Sequence, residues 1–206
     1  MERYLMTHSL LNSWYWTLKE NPYETADDSE EKMSKLDEFL LTLNREPIPT
    51  NEAMQKGNEF EDLVNRAVCG APDESHKWSG AAGEVANYLA GTHLQFRARK
   101  DIVVSGIPLL LYGRFDAIGA GVIYDIKFSS KYEVGKYIDG TQHPMYMAIC
   151  TEATRFTYLV SNGSNVFRET YRRDEVQDIY PIIEQFFIWL ETNNLMERYR
   201  EKWLAQ

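Results

Sequence analysis

The chain has 206 residues, 44% of them hydrophobic and 13% aromatic, which excludes a disordered protein and allows one well-buried domain or a domain with a small helical annex. Its formal net charge of -9 counts against broad, nonspecific adhesion to nucleic acid, since phosphate contacts come from Lys and Arg; it leaves room for a local basic groove and does not count bound cations. No apolar run has the length of a membrane span, and Met1 to Leu11 lacks the layout of a signal peptide, so a cytoplasmic protein with no membrane partner is expected.

The first element in chain order is a short aromatic helix, Ser9 to Trp16. Asn21 to Glu31 reads as a polar loop, with Asp28 and Glu31 spaced as a capping box. Met33, Leu36, Phe39, Leu40 and Leu43 then recur at helical spacing until Pro47 and Pro49. A second helix is expected from about Asn51 to Val68, with Phe60, Leu63, Val64, Ala67 and Val68 as its core stripe and Glu61 at the stripe's edge. A third covers roughly Asp73 to Leu89, closed by Gly91.

Three strands follow. Leu94, Phe96 and Ala98 alternate with polar residues in the first. Ser105-Gly106 turns the chain into Ile107 to Ile118, and Gly119-Ala120-Gly121 turns it into Val122 to Phe128. After a break at Ser129-Ser130, a helix is expected around Thr141 to Cys150, with Pro144 tolerated in its first turn. Arg155 to Val160 and Asn165 to Tyr171 read as a last hairpin, turning at Asn162-Gly163. Asp174 with Gln177 is placed to cap a final amphipathic helix that continues, with a bend, to the C-terminus. This order predicts an α/β core with a central mixed sheet flanked by helices. Residues 1–50 form a helical annex, 51–172 the core and 173–206 the C-terminal helices of a single domain. Cys69 and Cys150 belong to no CxxC; both are expected to be free and buried, and two thiolates are too few for an iron–sulfur cluster.

The second hairpin carries the chemistry. With its turn centred on Ala120, Asp116 and Asp125 fall nearly opposite each other, within about 5 Å backbone to backbone, and Lys127 shares a face with Asp125. Opposed carboxylates repel unless a cation lies between them. Hard oxygen ligands suit Mg²⁺ or Mn²⁺, and a lysine beside them can orient or deprotonate water and balance charge on a phosphate. The competing reading, a surface ion pair on an edge strand, sits poorly with the apolar flanks Val122-Ile123-Tyr124 and Ile126. Upstream, Gly57-Asn58-Glu59-Phe60-Glu61 offers a third carboxylate. Glu61 is preferred to Glu59, which points about 160° away on an ideal helix. Gly57 costs about 1 kcal/mol there relative to alanine, which suggests close approach of a metal or phosphate, or helix packing. Downstream, Gln142 and Tyr146 lie one turn apart on one helix face; taken alone, that pair reads as structural. His143 reads as a cap or packing residue, and His8, His76 and His93 show no ligand spacing.

Gly57-x-x-x-Glu61, Asp116, Asp125-x-Lys127 and Gln142-x-x-x-Tyr146, in this order, resemble the PD-(D/E)XK nuclease superfamily. The likeness is to its branch of RecB-type nuclease domains, phage lambda exonuclease and CRISPR-associated exonucleases, and to phage-encoded members in particular. The resemblance implies a restriction-endonuclease-like core. It implies Glu61, Asp116, Asp125 and the carbonyl of Ile126 as ligands of Mg²⁺ or Mn²⁺, Lys127 as the catalytic lysine, and Gln142 and Tyr146 as supports for water or substrate. The expected activity is metal-dependent hydrolysis of DNA, most simply at linear ends in phage recombination or DNA processing in the host cytoplasm. The implied partners are a DNA substrate and a recombination or single-strand-binding protein; a ring-shaped homo-oligomer would favour processive action. The alternatives are a structure-specific endonuclease and a non-catalytic binding module on a nuclease fold. Lys131, Lys136 and Tyr137 are candidate phosphate contacts, as are Arg97, Arg99 and Lys100. Trp14, Tyr15 and Trp16 are candidates for stacking on unpaired bases, with core packing as the competing reading.

Overall fold

The computed structural model of the protein describes residues 2–19 and 33–205. The polar loop and capping box expected at Asn21 to Glu31 lie outside the described residues. Elements run in the order β1 (Tyr4–Thr7), α1 (His8–Thr17), α2 (Lys35–Asn44), α3 (Glu52–Val68), α4 (Ser79–Tyr88), β2 (His93–Val104), β3 (Ile107–Gly119), β4 (Val122–Phe128), α5 (Gln142–Ile149), β5 (Arg155–Ser161), β6 (Val166–Arg172), α6 (Tyr180–Thr192) and α7 (Met196–Lys202). The six strands form one sheet in the order β1-β3-β4-β5-β6, with β2 paired to β3. The β1–β3 and β4–β5 pairs are parallel and the β3–β4 and β5–β6 pairs antiparallel, so the sheet is mixed and the fold is α/β.

The described residues divide into two compact units. One draws on 1–49, 99–113 and 178–206, the other on 50–98 and 114–177. In the first, Trp14 meets Phe186 edge-on at 5.3 Å, Phe39 meets Trp189 at 5.3 Å, and Tyr199 lies at 5.9 Å from Phe186. The N-terminal aromatics therefore split: Trp14 is core, whereas Trp16 is exposed and lies under the Lys19 ammonium. In the second unit, the apolar stripes of α3 and α4 pack on β4 and β5. Phe60, Leu63, Val64, Ala82 and Val85 close over Ala117, Ile126 and Leu159.

The turns form as their residues dictate. Ser105-Gly106 and Ala120-Gly121 both take positive φ at both positions, the two-residue turn that matches strand twist. Four expectations need correction. The strand β1 was not foreseen. The third helix begins at Ser79, because Asp73 to Trp78 is held in turns: the Ser75 hydroxyl donates to Asp73, and the Trp78 amide donates to His76 Nδ1. Such local side-chain bonds compete with helix. Asp174 and Gln177 cap no helix. Asp174 pairs with Arg172, residues 173–175 make a 3-10 turn, and Asp178 accepts from the Tyr180 amide where α6 begins. Finally, both cysteines are free but neither is buried, Cys69 being exposed and Cys150 half-buried.

Candidate active site

Strand alternation divides β4 between two environments. Tyr124, Ile126 and Phe128 join the core under α3 and α4, while Asp125 and Lys127 reach their own partners. The β3–β4 ladder runs from Gly119↔Val122 to Ala117↔Tyr124; counting on, Asp116 and Asp125 are the next pair. Here a side chain enters the ladder. The Ile126 amide donates to Asp116 Oδ2 at 2.7 Å, so a carboxylate fills the place of a strand carbonyl.

Asp125 is buried and has two neighbours. Gln142 Nε2 donates to its Oδ1, and Lys127 Nζ lies 2.8 Å from its Oδ2. The lysine thus holds that second oxygen in a close ion pair. The Lys127 ammonium also sits over the Tyr158 ring at 6.0 Å. Gln142 opens α5, and one turn on the Tyr146 hydroxyl donates to the Arg114 carbonyl at 3.2 Å while its ring packs on Phe115 at 4.7 Å. The structure thus brings Asp116, Asp125, Lys127, Gln142 and Tyr146 together around the ends of β3, β4 and α5.

Glu61 stands on α3 and accepts from Gln95 Nε2 at 2.9 Å. Its charge acts on Asp116 and Lys127. Glu59 instead pairs with His76 at 3.1 Å. Among the described residues, no group of three or more His, Cys, Asp or Glu side chains is gathered as a metal cage. A Cβ at Gly57 would meet nothing within 4 Å, so helix packing does not explain that glycine.

The electrostatics follow from crowding. Burial, then the charge of Asp125, push the Asp116 carboxyl up to about 8, with a smaller contribution from Glu61. Burial works against the Lys127 ammonium, but the charge and hydrogen bond of Asp125, helped by Asp116 and Glu61, outweigh it and hold the lysine above its ordinary value. The Tyr146 phenol is pushed up by burial and by Asp125.

His143 proves to be a packing residue. It stacks on Tyr171 at 4.4 Å, and burial pushes its imidazole down to about 4.

Sequence reasoning missed Glu169. It stands on β6, buried, and accepts from the Tyr132 hydroxyl at 2.6 Å, the Gly135 and Tyr137 amides at 3.2 Å each, and the Tyr171 hydroxyl. One carboxylate thereby fastens the loop between β4 and α5. In sequence it stands between Arg168 and Thr170, a run of three polar residues that reads as exposed.

No family profile matches the chain, and no curated protein matches it. Among solved structures, the crystal structure of SSO0001 is similar in fold, with a TM-score of 0.52 at 12% sequence identity, over 92% of this chain and 78% of that one. No helix among the described residues is long and apolar enough to cross a membrane.

Proposed function

We propose that this protein is a metal-dependent deoxyribonuclease of the PD-(D/E)XK type that hydrolyses phosphodiester bonds, acting on linear DNA ends. The observation that carries the reading is the pairing of two carboxylates across β3 and β4, Asp116 and Asp125, with the Lys127 ammonium 2.8 Å from the second.

These residues fit Mg²⁺ or Mn²⁺. The donors are hard oxygens, and the repulsion between Asp116 and Asp125 is what a cation would relieve. Asp116 and Asp125 would hold the ion, with Glu61 and the Ile126 carbonyl as further donors. The chemistry supplied there by a bound divalent ion is acidification of water and neutralisation of charge at the attacked phosphate.

The chain's own residues do the rest. The Gln142 amide fixes the Asp125 carboxylate from one side and Lys127 from the other. With acidic neighbours keeping it protonated, Lys127 serves as a donor to a phosphate oxygen, stabilising charge as it grows. It is poorly suited to take a proton. Tyr146, tied to the Arg114 carbonyl, holds α5 against β3.

The test offers end-labelled linear DNA and a covalently closed circle with Mg²⁺. Loss of linear DNA alone supports the proposal. Cutting of the circle moves the assignment to an endonuclease. Survival of both substrates leaves a binding module on this fold.

A further inference from the structure

A cleft of about 670 Å³ opens where β4 ends, lined from α3, from the turn before α4 and from the loop between β4 and α5. All its residues belong to the unit formed by 50–98 and 114–177. Four lysines line it, Lys56, Lys77, Lys131 and Lys136, against a single carboxylate, Glu52. In a chain of net charge -9 this is a local reversal of sign.

The lysines are held in different ways. Lys56 pairs with Glu52 at 2.6 Å. Lys136 Nζ donates to Ser129 Oγ at 2.8 Å and to the Lys131 carbonyl at 3.2 Å, both neutral acceptors. Lys77 lies over the Trp78 ring at 4.6 Å. Among the described residues, no carboxylate pairs with Lys77, Lys131 or Lys136. Three ammonium groups are therefore gathered without acidic partners among the described residues. The loop that presents two of them is fastened by Glu169 through Tyr132, Gly135 and Tyr137. The wall between them is aromatic: Phe128 packs on Trp78 at 4.3 Å, and Tyr137 stacks on Tyr158 at 4.6 Å.

We propose that this cleft binds a stretch of single-stranded DNA and leads it to the carboxylates. The inference rests on the nuclease reading for its direction, because Tyr137 of the cleft wall stacks on Tyr158 at 4.6 Å, and the Lys127 ammonium sits over that same Tyr158 ring. Lysines track a phosphate backbone as point charges without reading sequence. The volume suits a small ligand, roughly 300–1,000 Å³ being the range of such pockets. A recess of this size suits a single strand better than a duplex.

The test is titration of a fluorescein-labelled oligothymidylate into the full chain, in chelator so that binding is read apart from cleavage. The Lys131→Ala/Lys136→Ala protein is expected to bind roughly tenfold more weakly, with a shallower dependence on salt. Because Lys136 also braces its loop, Lys77→Ala supplies a second variant outside that loop and is expected to weaken binding too. Lys131→Arg/Lys136→Arg should restore affinity. Unchanged binding in both alanine variants would overturn the proposal, as would tighter binding of a duplex of equal length. The two readings fail separately. Cleavage with Mg²⁺ by a protein whose affinity ignores these lysines rejects the cleft alone. Lysine-dependent binding without cleavage keeps the cleft and rejects the nuclease.

Discussion

Burial and the neighbouring Asp125 raise the proton affinity of Asp116 to about 8, so near neutrality the metal-free site relieves its own repulsion by keeping a proton. The unfolded carboxyl ionises near 3.9. Folding therefore takes up a proton between those values, and the stabilisation present at low pH is lost as pH rises through about 8. Asp116→Asn keeps an acceptor for the Ile126 amide and removes the charge. At pH 8 to 9, without metal, it is expected to raise the melting temperature by about 2–8 °C, equivalent to roughly 1–2 kcal/mol in a chain of this size, while abolishing cleavage. Thermal unfolding of both proteins across pH checks this: the variant should lose the slope, and an equal slope would show that Asp116 does not cause it. Asp116 and Asp125 were legible in sequence because carboxylates inside apolar strands are rare. Glu169 was not, because a loop remote in sequence buries it.

Two elements position the site, and each can be probed away from the chemistry. In α3, Gly57 has open space where a Cβ would stand and an ordinary helical backbone. Gly57→Ala is expected to stabilise the protein by about 0.5–1 kcal/mol in urea unfolding; a loss of stability would reveal a contact at this face. The loop after β4 hangs on Glu169. Glu169→Ala leaves two tyrosine hydroxyls and two amides without their acceptor, and a cost of about 2–3 kcal/mol is expected. Limited proteolysis should then cut first between Ser129 and Gly140; cutting elsewhere would show that the loop is held by other contacts. The β2–β4 meander was readable because alternation and glycine turns are local signals. The strand β1 was not, since its four residues run directly into α1 and pair in parallel with Leu109–Tyr112, about a hundred positions away. The start of α4 was misread because Trp78, Ala81, Ala82 and Val85 keep helical spacing even though hydrogen bonds from side chains hold the preceding residues in turns.

For the whole molecule, what is shared with SSO0001 is the fold, at 12% identity. Asp116, Asp125 and Lys127 lie in the same unit as the lysine cleft, linked to it through Tyr137 and Tyr158. The central claim is that Asp116, Asp125 and Lys127 form a metal-dependent hydrolytic site. The measurement that tests it most directly is cleavage of end-labelled linear DNA with Mg²⁺ and with chelator, wild type beside Asp125→Asn. Cleavage only in Mg²⁺, reduced by about a thousandfold or more in the variant, is the expected result. Cleavage that survives either the chelator or the substitution, or none by the wild type, would contradict it.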